Sequence, residues 1–287
     1  MSSLAPALVV DPAVGDAAIT AEREETKYLL PLSGLEPLLA TLGQRIQPHR
    51  FVGEGANRLP DAHHFVTTVY FDTPSRHHFR AAVGDMEHNI KVRAKEYYDL
   101  HPSLAELATT PDQIARYQPW VWIEMKRRDG TRTCKRRFRL PKREIPVVFG
   151  GGGISGEALL HEAEREAALA GVSELVEYSE RLGEPLTANC LVNYRRLSYQ
   201  EPDGSLRITV DLGLAFYAVP SDLWSRERAL VRGAFGRARS NEPNAVVEVK
   251  RRAALPVWLT ETLTAAEAKP AVFSKFVAAA GVVYGSG

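Results

Sequence analysis

The sequence predicts an α+β protein, a closed antiparallel β-barrel of about eight strands with helices packed outside. Three observations support this prediction. Eight strand-length segments follow one another along the chain, and six of them alternate charged with apolar residues. Two of the connections between them contain Asp-Gly, the strongest short signal for a hairpin. Helical segments, with apolar residues at a spacing near 3.6, lie between strands and would cover the apolar outer face of the barrel.

The eight strand segments are rich in β-branched and aromatic residues, and Gly, Asp or Pro bounds several of them. Asp129-Gly130 and Asp203-Gly204 predict the two hairpins, so the sheet should be antiparallel. In chain order, the predicted strands cover residues 23–30, 66–74, 88–98, 121–128, 133–141, 191–200, 206–217 and 245–252.

Helical periodicity predicts helices over residues 33–46, 156–171 and 173–183, and a short C-terminal helix over 270–281 that Gly281 ends. The basic stretch 225–240 is interpreted as a loop or a short helix. No internal repeat is visible. We therefore expect a flexible tail over residues 1–18 and a single domain over residues 19–287.

The composition is that of an ordinary globular protein, with 45% hydrophobic and 25% charged residues among 287. It excludes disorder over most of the chain. Lys plus Arg total 36 and Asp plus Glu 35, so a net charge of +1 gives no general attraction to nucleic acid or membranes. Cys134 and Cys190 form no zinc-binding pattern. Because no signal peptide or membrane segment is visible, we expect a cytoplasmic protein; a separate membrane partner is compatible with the sequence.

Strand parity places many of the charges on one face of the predicted sheet. Lys91, Arg93 and Lys95, for example, alternate with Val92 and Ala94. Like charges at this density repel one another, so the face predicts a polyanionic ligand, and its few acidic residues predict Mg²⁺ or Mn²⁺. The predicted common face holds the basic residues Arg23, Lys27, Arg93, Lys95, Lys126, Lys135, Arg137, Arg196, Arg207, Lys250 and Lys275, and the acidic residues Glu25, Glu124, Asp211 and Glu248.

Eight short motifs follow one another along the predicted strands and into the C-terminal helix. They are R-x-E-x-K-Y (Arg23 to Tyr28), Y-F-D-T (Tyr70 to Thr73), K-V-R-x-K-x-Y (Lys91 to Tyr97), E-x-K (Glu124 to Lys126), Y-R-R (Tyr194 to Arg196), R-x-T-x-D (Arg207 to Asp211), E-V-K (Glu248 to Lys250) and S-K-F (Ser274 to Phe276). With these motifs, the sequence resembles the triphosphate tunnel metalloenzyme superfamily. Within it, the chain is similar from about Arg23 to Tyr284 to the catalytic domain of the vacuolar transporter chaperone (VTC) type, a polyphosphate polymerase.

The resemblance implies that ATP and inorganic polyphosphate or triphosphate are the partners, and that Mn²⁺ or Mg²⁺ is the cofactor. The implied reaction transfers the γ-phosphate of ATP to a growing polyphosphate chain and releases ADP. The metal would be held by Glu248, with Glu25 and Glu124 as weaker candidates. The implied catalytic, phosphate-binding residues are Lys27, Arg93, Lys95, Lys126, Lys135, Arg196 and Lys275, and the secondary ones are Arg23, Arg137, Arg207 and Lys250.

Two alternatives remain open: a hydrolase of tripolyphosphate or of a nucleoside or thiamine triphosphate, and a non-catalytic polyphosphate or nucleotide sensor. Arg23 stands at the first glutamate of the superfamily's E-x-E-x-K signature, which implies fewer metal ligands and a bias toward binding over hydrolysis. Lys95 stands where arginine is common, so bidentate geometry is lost but charge is kept. The basic runs 126–128 and 250–252 turn only part of their charge to one face, and we expect no nucleic-acid partner.

Overall fold

The computed structural model describes residues 24–49, 63–85, 88–98, 120–130, 132–152, 162–224 and 230–285. Arg23 and the predicted tail 1–18 lie outside these residues. All eight predicted strands are present, together with two strands of only two residues each. The strands are β1 (Glu24–Leu30), β2 (His63–Asp72), β3 (His88–Tyr98), β4 (Trp120–Asp129), β5 (Arg132–Pro141), β6 (Thr187–Gln200), β7 (Leu206–Ala218), β8 (Ser240–Asn241), β9 (Ala245–Arg251) and β10 (Lys269–Pro270).

The strands form one antiparallel sheet in the order β10-β1-β9-β7-β6-β2-β3-β4-β5, with β8 paired to β7. Both Asp-Gly turns are hairpins, one between β4 and β5 and the other between β6 and β7. Gly130 and Gly204 take φ values of 61° and 69°, which glycine adopts without the steric cost of a side chain. The antiparallel prediction is therefore confirmed.

The prediction of a closed barrel is wrong. In the described part of the chain, β5 does not pair with β1, because β10 already occupies the outer edge of β1. The backbone N–H of Ala271 extends this edge pairing by donating to the carbonyl of Lys27 at 2.9 Å. The sheet is nevertheless strongly curved: Lys126 Nζ on β4 lies 3.9 Å from Glu25 Oε2 on β1, although five strands separate the two in the sheet order. This curvature gives the sheet a concave face.

The described helices are α1 (Leu35–Arg45), α2 (His77–Gly84), α3 (Ile145–Phe149), α4 (Glu162–Leu182), α5 (Val257–Ala265) and α6 (Lys275–Tyr284). α4 joins the two helices predicted over 156–171 and 173–183, of which residues 156–161 lie outside the described part. The helix continues through Gly171, which faces Phe138 of β5; an added Cβ would lie 2.2 Å from Phe138 Cδ1, so only glycine allows this close packing. α6 likewise passes Gly281 and ends before Gly285, which has φ 80°.

The outer, convex face of the sheet carries two hydrophobic clusters. Val92, Ile123 and Phe138 belong to the cluster that α4 covers, whereas Leu30 and Val247 belong to the one that α1 and α5 cover. These helices lie outside the sheet, as predicted. No helix in the described part of the chain combines the length and the apolar character that a membrane span requires.

A third hydrophobic cluster places α6 on the concave face, where no helix was predicted. Tyr194 has the strand parity of Arg196 on β6, and its ring belongs to the same buried cluster as Tyr70 and Phe276. The Tyr70 and Phe276 ring centroids are 5.0 Å apart. Helix α6 is apolar enough to be buried in this position, with Ala279 fully covered and small side chains that allow close approach.

A β-bulge at Gly213 allows β7 to place both charged and apolar side chains on the concave face. The β6–β7 register shifts between Asn193 and Arg195, and Gly213 has φ 58°. Strand parity reverses across the bulge, so the charged Asp211 and the apolar Leu214 both point to the concave side. The concave face is thus divided into a charged region and an apolar region covered by α6.

Candidate functional site

The charged residues predicted for a common face lie together on the concave side of the sheet, except Arg23, which is not described. Their strands bring them there by register: Lys27 pairs with Glu248, and Arg93 pairs with Glu124. We call this set the concave basic surface. It consists of Lys27, Arg93, Lys95, Lys126, Lys135, Arg137, Arg196, Arg207, Lys250, Lys275, Glu25, Glu124, Asp211 and Glu248.

Glu124 is the centre of the largest charged cluster on this surface. Its side chain is only 2% exposed, and Arg93 Nε donates to Oε2 at 2.7 Å. Burial alone would raise the pKa of Glu124, but the attraction of Lys95 and Arg93 outweighs it and holds the pKa well below its usual range. The nitrogens of Lys95, Arg137 and Lys135 lie 3.5, 3.5 and 3.9 Å from its carboxylate oxygens.

Asp211 is the centre of a second cluster. The Arg196 guanidinium makes a bidentate contact to its carboxylate, with Nε and Nη2 at 2.6 and 2.7 Å, and Lys275 Nζ lies 2.6 Å from Oδ2. Burial raises the pKa of Asp211, but Arg196 and Lys275 outweigh it and the pKa is lowered. Because Lys275 is the first residue of α6, this cluster also fastens α6 to the concave face.

Glu25 and Glu248 form a third cluster, at the β1–β9 pair. Lys250 Nζ lies 2.8 Å from Glu248 Oε1 and 3.6 Å from Glu25 Oε2, and Lys27 Nζ lies 3.2 Å from Glu25 Oε1. Burial raises the pKa of Glu248, yet Lys250 and Lys27 hold it well below its usual range. Burial and the charge of Glu248 raise the pKa of Glu25, but Lys250, Lys126 and Lys27 outweigh them and lower it, so both carboxylates are ionised at neutral pH.

Glu25 and Glu248, two of the three predicted metal ligands, lie on the neighbouring strands β1 and β9, and the charge of Glu248 acts to raise the pKa of Glu25. No three His, Cys, Asp or Glu side chains converge in the described ranges. Mg²⁺, however, is commonly held by one or two carboxylates and completes its shell with water and substrate phosphates, so the neighbouring Glu25 and Glu248 suffice. Among the described residues, four cationic groups lie within 4.0 Å of the Glu124 carboxylate, compared with three lysines for Glu25 and one for Glu248. The geometry of Glu124 favours a counter-ion that holds the neighbouring basic side chains in place.

The segment before α6 connects the two sides of the curved sheet. Lys27 Nζ of β1 donates to the carbonyl oxygen of Phe273 at 3.0 Å, and Lys91 Nζ of β3 lies 3.4 Å from Ser274 Oγ. Ser274 is the N-cap of α6 and accepts a hydrogen bond from the backbone N–H of Val277. Lys91 was missing from the predicted binding residues, although it has the strand parity of Arg93 and Lys95.

Aromatic rings orient several of these cations, which the sequence analysis did not predict. The Arg137 guanidinium carbon lies 3.9 Å from the ring centroid of Trp122. The Tyr194 ring centroid lies 5.3 Å from the guanidinium carbon of Arg196 and 5.0 Å from Lys275 Nζ. Such contacts are favourable electrostatically and restrict the side chains. The available signal was strand parity, since Trp122 and Glu124 share a face of β4.

Comparison with known proteins gives a family and a set of structural relatives. The family model for the VTC domain matches residues 22–284, and no curated protein matches. Among solved structures, a candidate adenylate cyclase from Bacillus halodurans is 12% identical, with a TM-score of 0.43 and coverage of 89% of this chain and 97% of the other. The PH1819 protein from Pyrococcus horikoshii is 10% identical, with a TM-score of 0.32 and coverage of 85% and 86%. The family match covers nearly the whole chain, and the protein belongs to the VTC domain family.

Proposed function

We propose that this protein is a polyphosphate polymerase that transfers the γ-phosphoryl group of ATP to the end of an inorganic polyphosphate chain and releases ADP. One observation carries the proposal: the concave basic surface gathers ten basic side chains and four acidic ones on one face of the described sheet. Such an excess of like charge is costly unless a polyanion binds there. Membership of the VTC domain family supports the same class of substrate.

The chain's own residues would act by binding and orienting phosphates. Phosphoryl transfer needs positioning and charge neutralisation more than covalent participation of the protein. A terminal oxygen of the acceptor chain forms a bond to the γ-phosphorus, and the bond from that phosphorus to the β–γ bridging oxygen breaks. ADP leaves with that electron pair. Arg93, Arg137 and Arg196 present planar guanidinium donors, which stabilise the negative charge on the transferring group.

Glu25 and Glu248 would hold a divalent cation, which would supply positive charge to offset that of the substrate phosphates. The other residues of the surface position these groups. Lys27 and Lys250 hold the two carboxylates in place through contacts of 3.2 and 2.8 Å. The pairs Arg196–Asp211 and Arg93–Glu124 keep the guanidinium groups oriented before substrate arrives, which lowers the cost of ordering them at the moment of reaction.

A second candidate function is the hydrolysis of tripolyphosphate or of a nucleoside triphosphate. The open sheet favours it, because the side chains of Lys135 and Lys250 are 45% and 37% exposed and water can reach the surface beside them. Water would then compete with the acceptor phosphate as the nucleophile. The two reactions share one binding surface and differ only in the attacking group.

The test is to incubate the purified protein with ATP and Mn²⁺ or Mg²⁺ and to measure ADP, free phosphate and gel-resolved polyphosphate in the same sample. ADP together with long polymer supports the polymerase. Free phosphate equal to ADP, without polymer, contradicts it and supports the hydrolase. Tight binding of tripolyphosphate without any turnover contradicts both reactions and supports a sensor.

A further inference from the structure

Lys91 belongs to a row of three lysines that crosses three neighbouring strands. Lys91 of β3 pairs in register with Lys126 of β4, which pairs in register with Lys135 of β5. Directly opposite residues on one face have Cβ atoms about 4.5–5.5 Å apart, and like charges at that distance destabilise a sheet. The three ammonium groups of the row therefore repel one another, and a bound anion would reduce this repulsion.

The carboxylates of the concave basic surface form ion pairs with the other two lysines of this row. Glu25 Oε2 lies 3.9 Å from Lys126, and Glu124 Oε1 lies 3.9 Å from Lys135. For Lys91, the described residues provide no ion pair within 4.0 Å, and the recorded polar contact is with the neutral Ser274 Oγ at 3.4 Å. Of the three lysines in the row, Lys91 is thus the one without a carboxylate within 4.0 Å among the described residues.

The surroundings of Lys91 make its charge costly in the free protein. Burial, followed by the nearby charges of Lys27 on β1, Lys126 on β4 and Arg93 on its own strand, lowers the pKa of Lys91 to about 8. Glu25 of β1 acts in the opposite direction but more weakly. An anion beside Lys91 would reverse this balance and favour the ammonium form.

We propose that Lys91 and Ser274 together bind a phosphate group of the substrate chain, at the end of the concave basic surface that meets α6. This inference rests on the proposed function and extends it to residues of β3 and of the α6 N-cap. Lys91 supplies the charge, and the Ser274 hydroxyl supplies a donor that is already held beside it. The chemistry recognised is that of an inorganic phosphate chain.

The experiment measures the binding of tripolyphosphate by calorimetry at pH 7 and pH 9, with wild-type protein and the variants Lys91→Met and Lys91→Arg. Lys269→Met is the matched control, because Lys269 is exposed on β10 and belongs to no cluster of the site. We expect Lys91→Met to lose about tenfold in affinity at pH 7, as for one charge-assisted hydrogen bond. Lys269→Met should bind as the wild type does.

Lys91→Arg separates a binding role from a structural one. Arginine stays charged at both pH values, so this variant should bind at pH 7 like the wild type and lose less affinity than the wild type at pH 9. Lys91→Met should not lower the unfolding temperature, because it removes a repelled cation. Wild-type affinity in Lys91→Met contradicts this inference alone. A wild-type protein that binds no tripolyphosphate contradicts the proposed function as well.

Discussion

Replacing Glu124 by Gln tests whether this carboxylate holds the basic surface together. The substitution keeps the shape of the side chain but removes a charge that is 2% exposed and lies 2.7 Å from Arg93. At an effective dielectric constant of about 20, a unit pair at that distance attracts by about 6 kcal/mol before the cost of desolvating both groups is subtracted. Removing one partner of a buried pair typically costs about 3–5 kcal/mol, because the remaining charge stays buried.

We therefore expect Glu124→Gln to lower the free energy of unfolding by about 3–5 kcal/mol. With about 2 °C for each kcal/mol in a chain of this size, the unfolding temperature should fall by about 6–10 °C. Tripolyphosphate should recover part of the loss, since it replaces the missing negative charge. Ligand at about one hundred times its dissociation constant stabilises the folded state by about 2.7 kcal/mol.

The assay is urea unfolding of both proteins with and without tripolyphosphate. Glu174→Gln is the control, because its contact with Arg136 at 2.8 Å is equally short but both side chains are 43% exposed. Pairs of that kind contribute below about 1 kcal/mol. If Glu124→Gln unfolds within about 1 kcal/mol of the wild type, the role assigned to this carboxylate is refuted.

Three further outcomes follow from the same surface. Asp211 has a lowered pKa in the folded state, so the unfolded state takes up its proton first, and the free energy of unfolding should fall as the pH drops below about 4. Urea unfolding from pH 3 to 7 measures this fall. An equal acid response in Asp211→Asn would contradict the prediction. Tripolyphosphate affinity should fall linearly with salt on logarithmic axes, because several cations contact one polyanion. Calorimetry from about 50 to about 300 mM salt, across which the Debye length shortens, measures this, and a flat line would refute the idea. Glu248→Gln should remove metal-dependent turnover but retain tripolyphosphate binding, and an unchanged metal titration of activity would place the metal elsewhere.

Strand alternation was sufficient to predict the eight main strands and the face that holds the charges. Alternation is a local property of the sequence, and the inward position of Arg93 follows directly from the buried Val92 and Ala94 on either side. The two hairpins could be predicted as well, because Asp-Gly favours the positive φ that the glycine of each turn adopts.

Closure of the sheet could not be predicted in this way. Whether β5 meets β1 depends on β10, a strand of two residues that carries no propensity signal and includes Pro270. The position of α6 on the concave face depends on the bulge at Gly213, which reverses the parity of β7 and creates an apolar region beside the charged one. Both features come from tertiary packing and not from local pattern.

The residues of the site were easier to predict than their roles. Parity gathered Glu25, Glu124 and Glu248 on one face but could not distinguish a metal ligand from a counter-ion. That distinction depends on how many cations reach each carboxylate and on whether a second carboxylate is near: four cations surround Glu124, whereas Glu25 has three lysines and lies near Glu248. These distances depend on the curvature of the sheet, and no local pattern in the sequence predicts that curvature.

The central claim is that the concave basic surface binds a phosphate chain, and Lys126→Ala tests it most directly. Lys126 is 29% exposed, and its ion pair with Glu25 is long at 3.9 Å, so its removal should hardly change the free energy of unfolding. Arg127→Ala on the opposite face of β4 is the matched control. Calorimetry with tripolyphosphate should show affinity at least about tenfold weaker in Lys126→Ala and unchanged in Arg127→Ala. Equal affinity in a folded Lys126→Ala protein would contradict the account.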